Sequence, residues 1–222
     1  MIEEVAAGLV PLLDSVVFIG GASSCLLIDD TIASGVRPTD DVDCIVEVGS
    51  RAEYSKLEAQ LRSLGFSHAM AEDAPMCRWI YRGVLVDVMP DDRAILGFSN
   101  AWYKEGIAHA QEVTLPSGLL IRCLTLPYFV ATKIEAFLSR GGDFRMSHDI
   151  EDIVIVLDGQ RDLAALGHGP ESVVGYLRGK FVGFLADSNF IESLYAHLPL
   201  DSRVLGRQKQ ITAFLESFAR PR

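Results

Sequence analysis

This 222-residue sequence lacks the features that mark several large function classes. It holds four cysteines, Cys25, Cys44, Cys77 and Cys123, none in a CxxC pair and none with histidines nearby at ligand spacing. That argues against a structural zinc site, and the apolar stretch around each cysteine predicts buried free thiols. No apolar run approaches the roughly 20 residues that span a bilayer. The first residues carry Glu3 and Glu4 and no basic residue, unlike a secretory leader, so the cytoplasm is the expected compartment, with no membrane partner. Positive charge is also scarce: 20 Lys and Arg face 30 Asp and Glu, a net charge of −10. A broad footprint for duplex nucleic acid is therefore not expected. A local basic pocket for a nucleotide or an RNA end remains compatible, and an acidic surface would attract a cationic small molecule. There is no internal repeat, no low-complexity tract and no GxxxxGK[ST] phosphate loop.

What is present is an ordinary globular profile, 49% hydrophobic and 23% charged, long enough to bury a sizeable core. Val16-Val17-Phe18-Ile19, Gly20-Gly21 and the small residues after them read as buried strand, tight turn and helix. Residues 42–48 read as a strand. Ser50-Arg51-Ala52-Glu53 has the capping-box pattern, followed by Tyr54, Leu57, Leu61 and Leu64 at helical spacing and Gly65 as a stop. Residues 78–89 read as a hairpin turning at Arg82-Gly83, and 113–123 as another turning at Pro116-Ser117-Gly118. Residues 91–110 give no clear periodicity. From Pro127 the pattern is helical, with Val130, Ile134 and Phe137 on one stripe, a break at Gly141-Gly142, and a further helix over about 148–157. Ile211, Phe214, Leu215 and Phe218 form an apolar stripe near the end. The expected fold class is α+β: a mixed sheet with flanking helices over 1–124, then a helical region over 125–222.

The chemistry concentrates in carboxylates. Asp41 and Asp43 lie two apart at the start of a strand, so both side chains share a face. Two carboxylates so close repel unless a cation sits between them, and hard Mg²⁺ (or Mn²⁺) prefers such oxygens. Asp87 sits inside the apolar run Val84–Met89, where a charge is costly unless paired or metal-bound. A neighbouring strand would bring it beside the first two. Gly20-Gly21 before a helix start offers bare backbone N–H groups to phosphates, with Ser23 and Ser24 as hydroxyl donors. Arg78, Trp79, Tyr81 and Arg82 have two readings: an RNA-facing patch that stacks bases, or an exposed hairpin face.

Gly20-Gly21, then Arg37-Pro38-Thr39-Asp40-Asp41-Val42-Asp43, then Val86-Asp87-Val88, resembles the nucleotidyltransferase superfamily related to DNA polymerase beta. The Arg-x-Thr-x-Asp-hydrophobic-Asp form is more narrowly similar to the AbiEii-type nucleotidyltransferases, toxin partners of some bacterial toxin–antitoxin and phage-defence systems. The stretch Lys133–Arg140 followed by Ser147–Ile153 resembles the Lys…Arg…Asp-x-x-Asp segment of that family, with Lys133, Phe137 and Arg140 on one helical face and Asp149 and Asp152 together on the next helix. His148 stands where the family often has Arg before the first Asp. The likeness spans roughly residues 15–160.

The resemblance implies a metal-dependent transfer of a nucleoside monophosphate from an NTP to an acceptor. Asp41, Asp43 and Asp87 would hold Mg²⁺ or Mn²⁺, and Asp87 would also orient or deprotonate the acceptor. Gly20, Gly21 and Ser23 would hold the triphosphate, Lys133 would neutralise phosphate charge, and Arg37 and Arg140 are further candidates for the nucleotide. The acceptor would be an RNA end or a protein hydroxyl, with an antitoxin as partner. The alternatives are a small-molecule nucleotidyltransferase of the aminoglycoside type, or a nucleotide- and partner-binding module without turnover.

Overall fold

The computed structural model describes residues 1–29, 38–71 and 74–220, and the statements that follow concern these. They divide into two compact units. One comprises Met1–Leu26 and Pro38–Thr125; the other comprises Leu126–Arg222 with the segment that begins at Leu27.

The first unit opens with a short helix, α1 (Ile2–Gly8), whose Val5 and Ala6 are fully buried. Strand β1 (Val16–Ile19) follows, buried throughout. Then come β2 (Asp41–Val46), α2 (Arg51–Ser63), β3 (Ser67–His68) and the hairpin of β4 (Arg78–Tyr81) and β5 (Val84–Pro90). Two short helices, α3 (Arg93–Leu96) and α4 (Tyr103–Ala108), occupy the stretch that has no sequence periodicity. A second hairpin, β6 (Gln111–Thr114) and β7 (Leu120–Cys123), completes the sheet. The strand order is β3-β4-β5-β2-β1-β7-β6. The pairs β2–β5 and β1–β7 are parallel; the others are antiparallel.

Alternation sorts the side chains. Val42, Cys44 and Val46 of β2, Val86 and Val88 of β5, and Trp79 and Tyr81 of β4 enter one core with Tyr54, Leu57 and Leu61 of α2. Tyr54 donates its buried hydroxyl to the Val88 carbonyl at 2.8 Å, which fixes α2 on the sheet. The start of α2 is capped as its sequence predicts. Ser50 Oγ accepts from the Glu53 amide at 3.2 Å, and the Glu53 carboxylate accepts from Gly49 N at 2.6 Å, one residue earlier than the usual box. Arg82 and Gly83 both have positive φ, 49° and 87°, the backbone of a two-residue hairpin turn.

The second unit is helical: α5 (Leu126–Arg140), α6 (His148–Asp158), α7 (Glu171–Leu185), α8 (Ser188–His197), α9 (Leu200–Val204) and α10 (Arg207–Phe218). Its core holds Val130, Ile134 and Phe137 of the expected stripe, with Phe181, Phe184 and Phe190. Phe144 joins them, 4.7 Å from Phe137 and 5.1 Å from Phe184 between ring centroids. Arg207 caps the end of α6: one guanidinium nitrogen donates to the carbonyls of Leu157, Asp158 and Gln160 at 3.1, 3.0 and 2.6 Å. Among the described residues, no helix is long and apolar enough to cross a membrane.

Two local expectations are corrected. The helix expected after Gly20 is a 3₁₀ turn, Gly21–Leu27. Small residues explain it, because Ser23, Ser24 and Cys25 each bond through their side chains to the carbonyl three residues back. All four cysteines are free, but Cys25 is exposed, since it lies on this short turn.

Candidate functional site

Asp41 and Asp43 stand at the first and third positions of β2, and Val42 between them turns into the core. β5 runs parallel to β2 with Asp43 opposite Asp87. Residues in register on neighbouring strands point to the same side, so Asp87 joins the other two on the face away from Val86 and Val88. Carboxylate oxygens of Asp41, Asp43 and Asp87 lie within 4.8 Å of one another. Asp87 is buried and the other two are half-buried. The donor set is all hard oxygen from three acidic groups, which fits Mg²⁺ or Mn²⁺ and not a soft metal.

The turn after β1 makes room for this cluster. Ile19 pairs with Asp43, and Gly20 follows with a φ of +74°. A Cβ on Gly20 would stand 1.9 Å from Asp43 Oδ2. Glycine is thus required twice, for the left-handed backbone and for the space the carboxylate occupies. Ser23, 2% exposed, gives its hydroxyl proton to the Gly20 carbonyl at 2.9 Å, and Ser24 gives its own to Gly21 at 2.6 Å. Both hydroxyl protons therefore shape the turn.

Arg78 joins the carboxylates, in neither of the roles its sequence context suggests. Its Nε donates to Asp87 Oδ1 at 2.8 Å and its Nη2 to Asp87 Oδ2 at 2.7 Å; Nη2 also reaches Asp41 Oδ2 at 3.1 Å. The hydrogen bonds to Asp87 push the guanidinium pKa further above its ordinary value; partial burial opposes them, and the charges of Asp87 and Asp41 add to them. Counting outward from the Arg82-Gly83 turn pairs Tyr81 with Val84, Ile80 with Leu85, Trp79 with Val86 and Arg78 with Asp87. The hairpin alone could have found this residue. The base-stacking patch and the exposed hairpin face are both overturned for the aromatics: Trp79 is fully buried and Tyr81 is 8% exposed. His68 stacks on Trp79 at 3.7 Å and Phe66 on Tyr81 at 4.4 Å, so these rings serve the core.

The thiols beside the site are buried, which disfavours their charged form. Burial raises Cys44 well above its ordinary pKa, reinforced by the negative charges of Asp43 and Asp87. Burial, with Asp87 next, pushes Cys77 up to about 12.

The remaining candidates lie in the second unit or outside the described residues. Lys133 Nζ stands 2.6 Å from Asp152 Oδ2 and 3.5 Å from Asp149 Oδ1, and Arg140 donates to Asp149 Oδ2 at 2.6 Å. These contacts join α5 to α6. Ser147 caps α6 by accepting from the Ile150 amide, and His148 is exposed beside Glu151 at 3.0 Å. Arg37 falls outside the described residues.

No family model and no curated protein matches this chain. Solved structures do resemble it. The antibiotic-resistance factor ANT(2'')-Ia, known from a solution structure, superposes with a TM-score of 0.51 at 16% identity, over 82% of this chain and 91% of that one. An antigenic nucleotidyltransferase-like protein from Paracoccidioides brasiliensis gives a TM-score of 0.49 at 19% identity, over 91% and 93%. The expected α+β class, a nucleotidyltransferase-type mixed sheet with flanking helices followed by a helical region, is the observed one.

Proposed function

We propose that this protein is a metal-dependent nucleotidyltransferase that moves a nucleoside monophosphate from an NTP to an acceptor hydroxyl. The observation that carries this reading is the convergence of Asp41, Asp43 and Asp87 on one face of two parallel strands, beside a glycine turn shaped to admit Asp43. Arg78 offsets one of the three negative charges, and a divalent cation would offset the rest. Asp41, Asp43 and Asp87 would hold Mg²⁺ or Mn²⁺, which when bound offsets the charge of the triphosphate and of the departing pyrophosphate. Gly20, Gly21 and Ser23 line the turn through which the backbone would approach the phosphates.

The transfer forms one P–O bond, between the acceptor oxygen and the α-phosphorus, and breaks one, between the α-phosphorus and the bridging oxygen to the β-phosphate. Pyrophosphate leaves. The acceptor's proton passes to Asp87, each of whose oxygens keeps a second lone pair beside the Arg78 fork. Lys133 enters this reading as a brace: its ammonium already lies between two buried carboxylates. Arg140 supports the same pair.

An RNA end or a protein hydroxyl is the acceptor that the sequence resemblance favours, in a toxin of an antitoxin-paired or phage-defence system. A small cationic acceptor is the second reading, and the net charge of −10 is what favours it. The burial of Trp79 and Tyr81 removes the stacking platform that would have supported RNA.

The test is transfer from each of four α-labelled NTPs, with Mg²⁺, into total bacterial RNA, protein lysate and an aminoglycoside panel. Label enters one pool, and Asp43→Ala lowers the rate by roughly a thousandfold, equivalent to about 4 kcal/mol of lost stabilisation. Label that persists at full rate in Asp43→Ala removes the site assignment. NTP binding without label in any pool favours a binding module without turnover.

A further inference from the structure

Arg78 is the charged group whose position the transfer reaction leaves unused. It stands opposite Asp87 across the β4–β5 ladder, with its fork on both Asp87 oxygens. The same Nη2 that binds Asp87 at 2.7 Å also reaches Asp41 at 3.1 Å. One nitrogen thus bridges two of the three carboxylates that would hold an ion. Its two attachments are unequal. The pair with Asp87 is bidentate and short, and the Asp87 side chain is 10% exposed. The contact with Asp41 is single and longer, and that side chain is 34% exposed. A bidentate, desolvated pair outlasts a single wetter one.

We propose that Arg78 is a resident counter-cation of the carboxylate site: it holds the acidic side chains in place before a divalent metal binds, and the metal binds by displacing its contact with Asp41 while the fork on Asp87 stays. This rests on the triad being a metal site. Arg78 is then a positioning residue with two opposed effects. It relieves repulsion among the carboxylates in the metal-free protein, and its positive charge weakens the ion's hold. A merely structural arginine would stabilise the fold equally with or without metal.

Mn²⁺ binding to the full chain, followed by calorimetric titration, separates these cases when combined with melting in EDTA and in saturating Mn²⁺. Arg78→Gln binds Mn²⁺ about tenfold more tightly, because a unit charge a few ångströms from the ion is gone. It also melts lower than wild type in EDTA, and saturating Mn²⁺ closes the gap. Arg78→Lys keeps the charge without the fork and binds with intermediate affinity. An Arg78→Gln protein that binds Mn²⁺ no more tightly than wild type, or whose melting deficit is the same in EDTA and Mn²⁺, overturns the proposal. If Arg78→Gln does not fold, Arg78→Lys decides: tighter binding than wild type supports the proposal, and equal or weaker binding overturns it. If wild type and both variants bind no Mn²⁺, the metal site itself is wrong, and the counter-cation role falls with it.

Discussion

The two units each gather acidic side chains, with different amounts of compensating charge. In the first, three carboxylates, Asp41, Asp43 and Asp87, converge from two strands beside one arginine, Arg78, and the Asp41 side chain stays 34% exposed. In the second, Asp149 and Asp152, one helical turn apart on α6, converge on cations of α5, and their side chains are 4% and 3% exposed. Opposite charges sealed together brace a structure, because losing either partner strands the other in a dry interior. Three carboxylates that outnumber the arginine among them keep an excess of negative charge, and they make sense as a place for an ion to bind. The same residue type therefore reads as brace or as site according to what it faces.

That contrast breaks most readily at Lys133. Lys133→Ala takes the ammonium from two buried carboxylates, of which Asp149 keeps Arg140, and costs up to about 3 kcal/mol in urea unfolding. Both tryptophans, Trp79 and Trp102, lie in the first unit. Their fluorescence reports that unit alone, whereas far-UV circular dichroism follows the helices of both units, most of whose residues lie in the second. A Lys133→Ala protein as stable as wild type, with impaired NTP binding, would return Lys133 to a phosphate role.

A smaller effect is expected at Gly20. Gly20→Ala strains a backbone with φ of +74° and drives a methyl into the Asp43 carboxylate. The expected cost is about 1–3 kcal/mol of stability, with Mn²⁺ affinity lowered by more than the stability loss accounts for. Unchanged Mn²⁺ affinity would separate the turn from the site.

The smallest effect at neutral pH is alkaline. Cys77 and Cys123 are raised by burial from 9.0 to about 12 and about 11, and Cys44 moves the same way. The unfolded chain releases these protons first, so their contribution is complete below pH 9 and falls as pH rises toward 11–12. The cysteines are at 25, 44, 77 and 123, all in the first unit. Tryptophan fluorescence should therefore lose unfolding free energy above pH 9 while the second unit's helices hold theirs. Parallel losses in both signals would contradict this division.

Much of the arrangement was legible in the chain. Period-two alternation put Asp41 and Asp43 on one face, and the cost of a charge in an apolar strand marked Asp87 as a candidate third member; the parallel pairing of β2 with β5 that joins them is a long-range contact. Ser50 and Glu53 announced α2, and Arg82-Gly83 announced the hairpin. Other features depend on distant partners. Trp79 and Tyr81 alternate with Arg78 and Ile80, and alternation alone does not say which face meets the core; α2 decides that. β3 is only two residues long and exists through its pairing with β4. The placement of β1 between β2 and β7 rests on contacts about a hundred residues apart.

The parallel register of β2 on β5 makes the carboxylate cluster a matter of parity. An odd slip of β5 past β2 would send Asp87 to the α2 side and bring Val86 or Val88 out in its place. An even slip would keep the face but move the carboxylate nearly 7 Å along the strand. Substitutions at these positions weaken the cluster by degrees, whereas a single inserted residue in β5 erases it at one stroke.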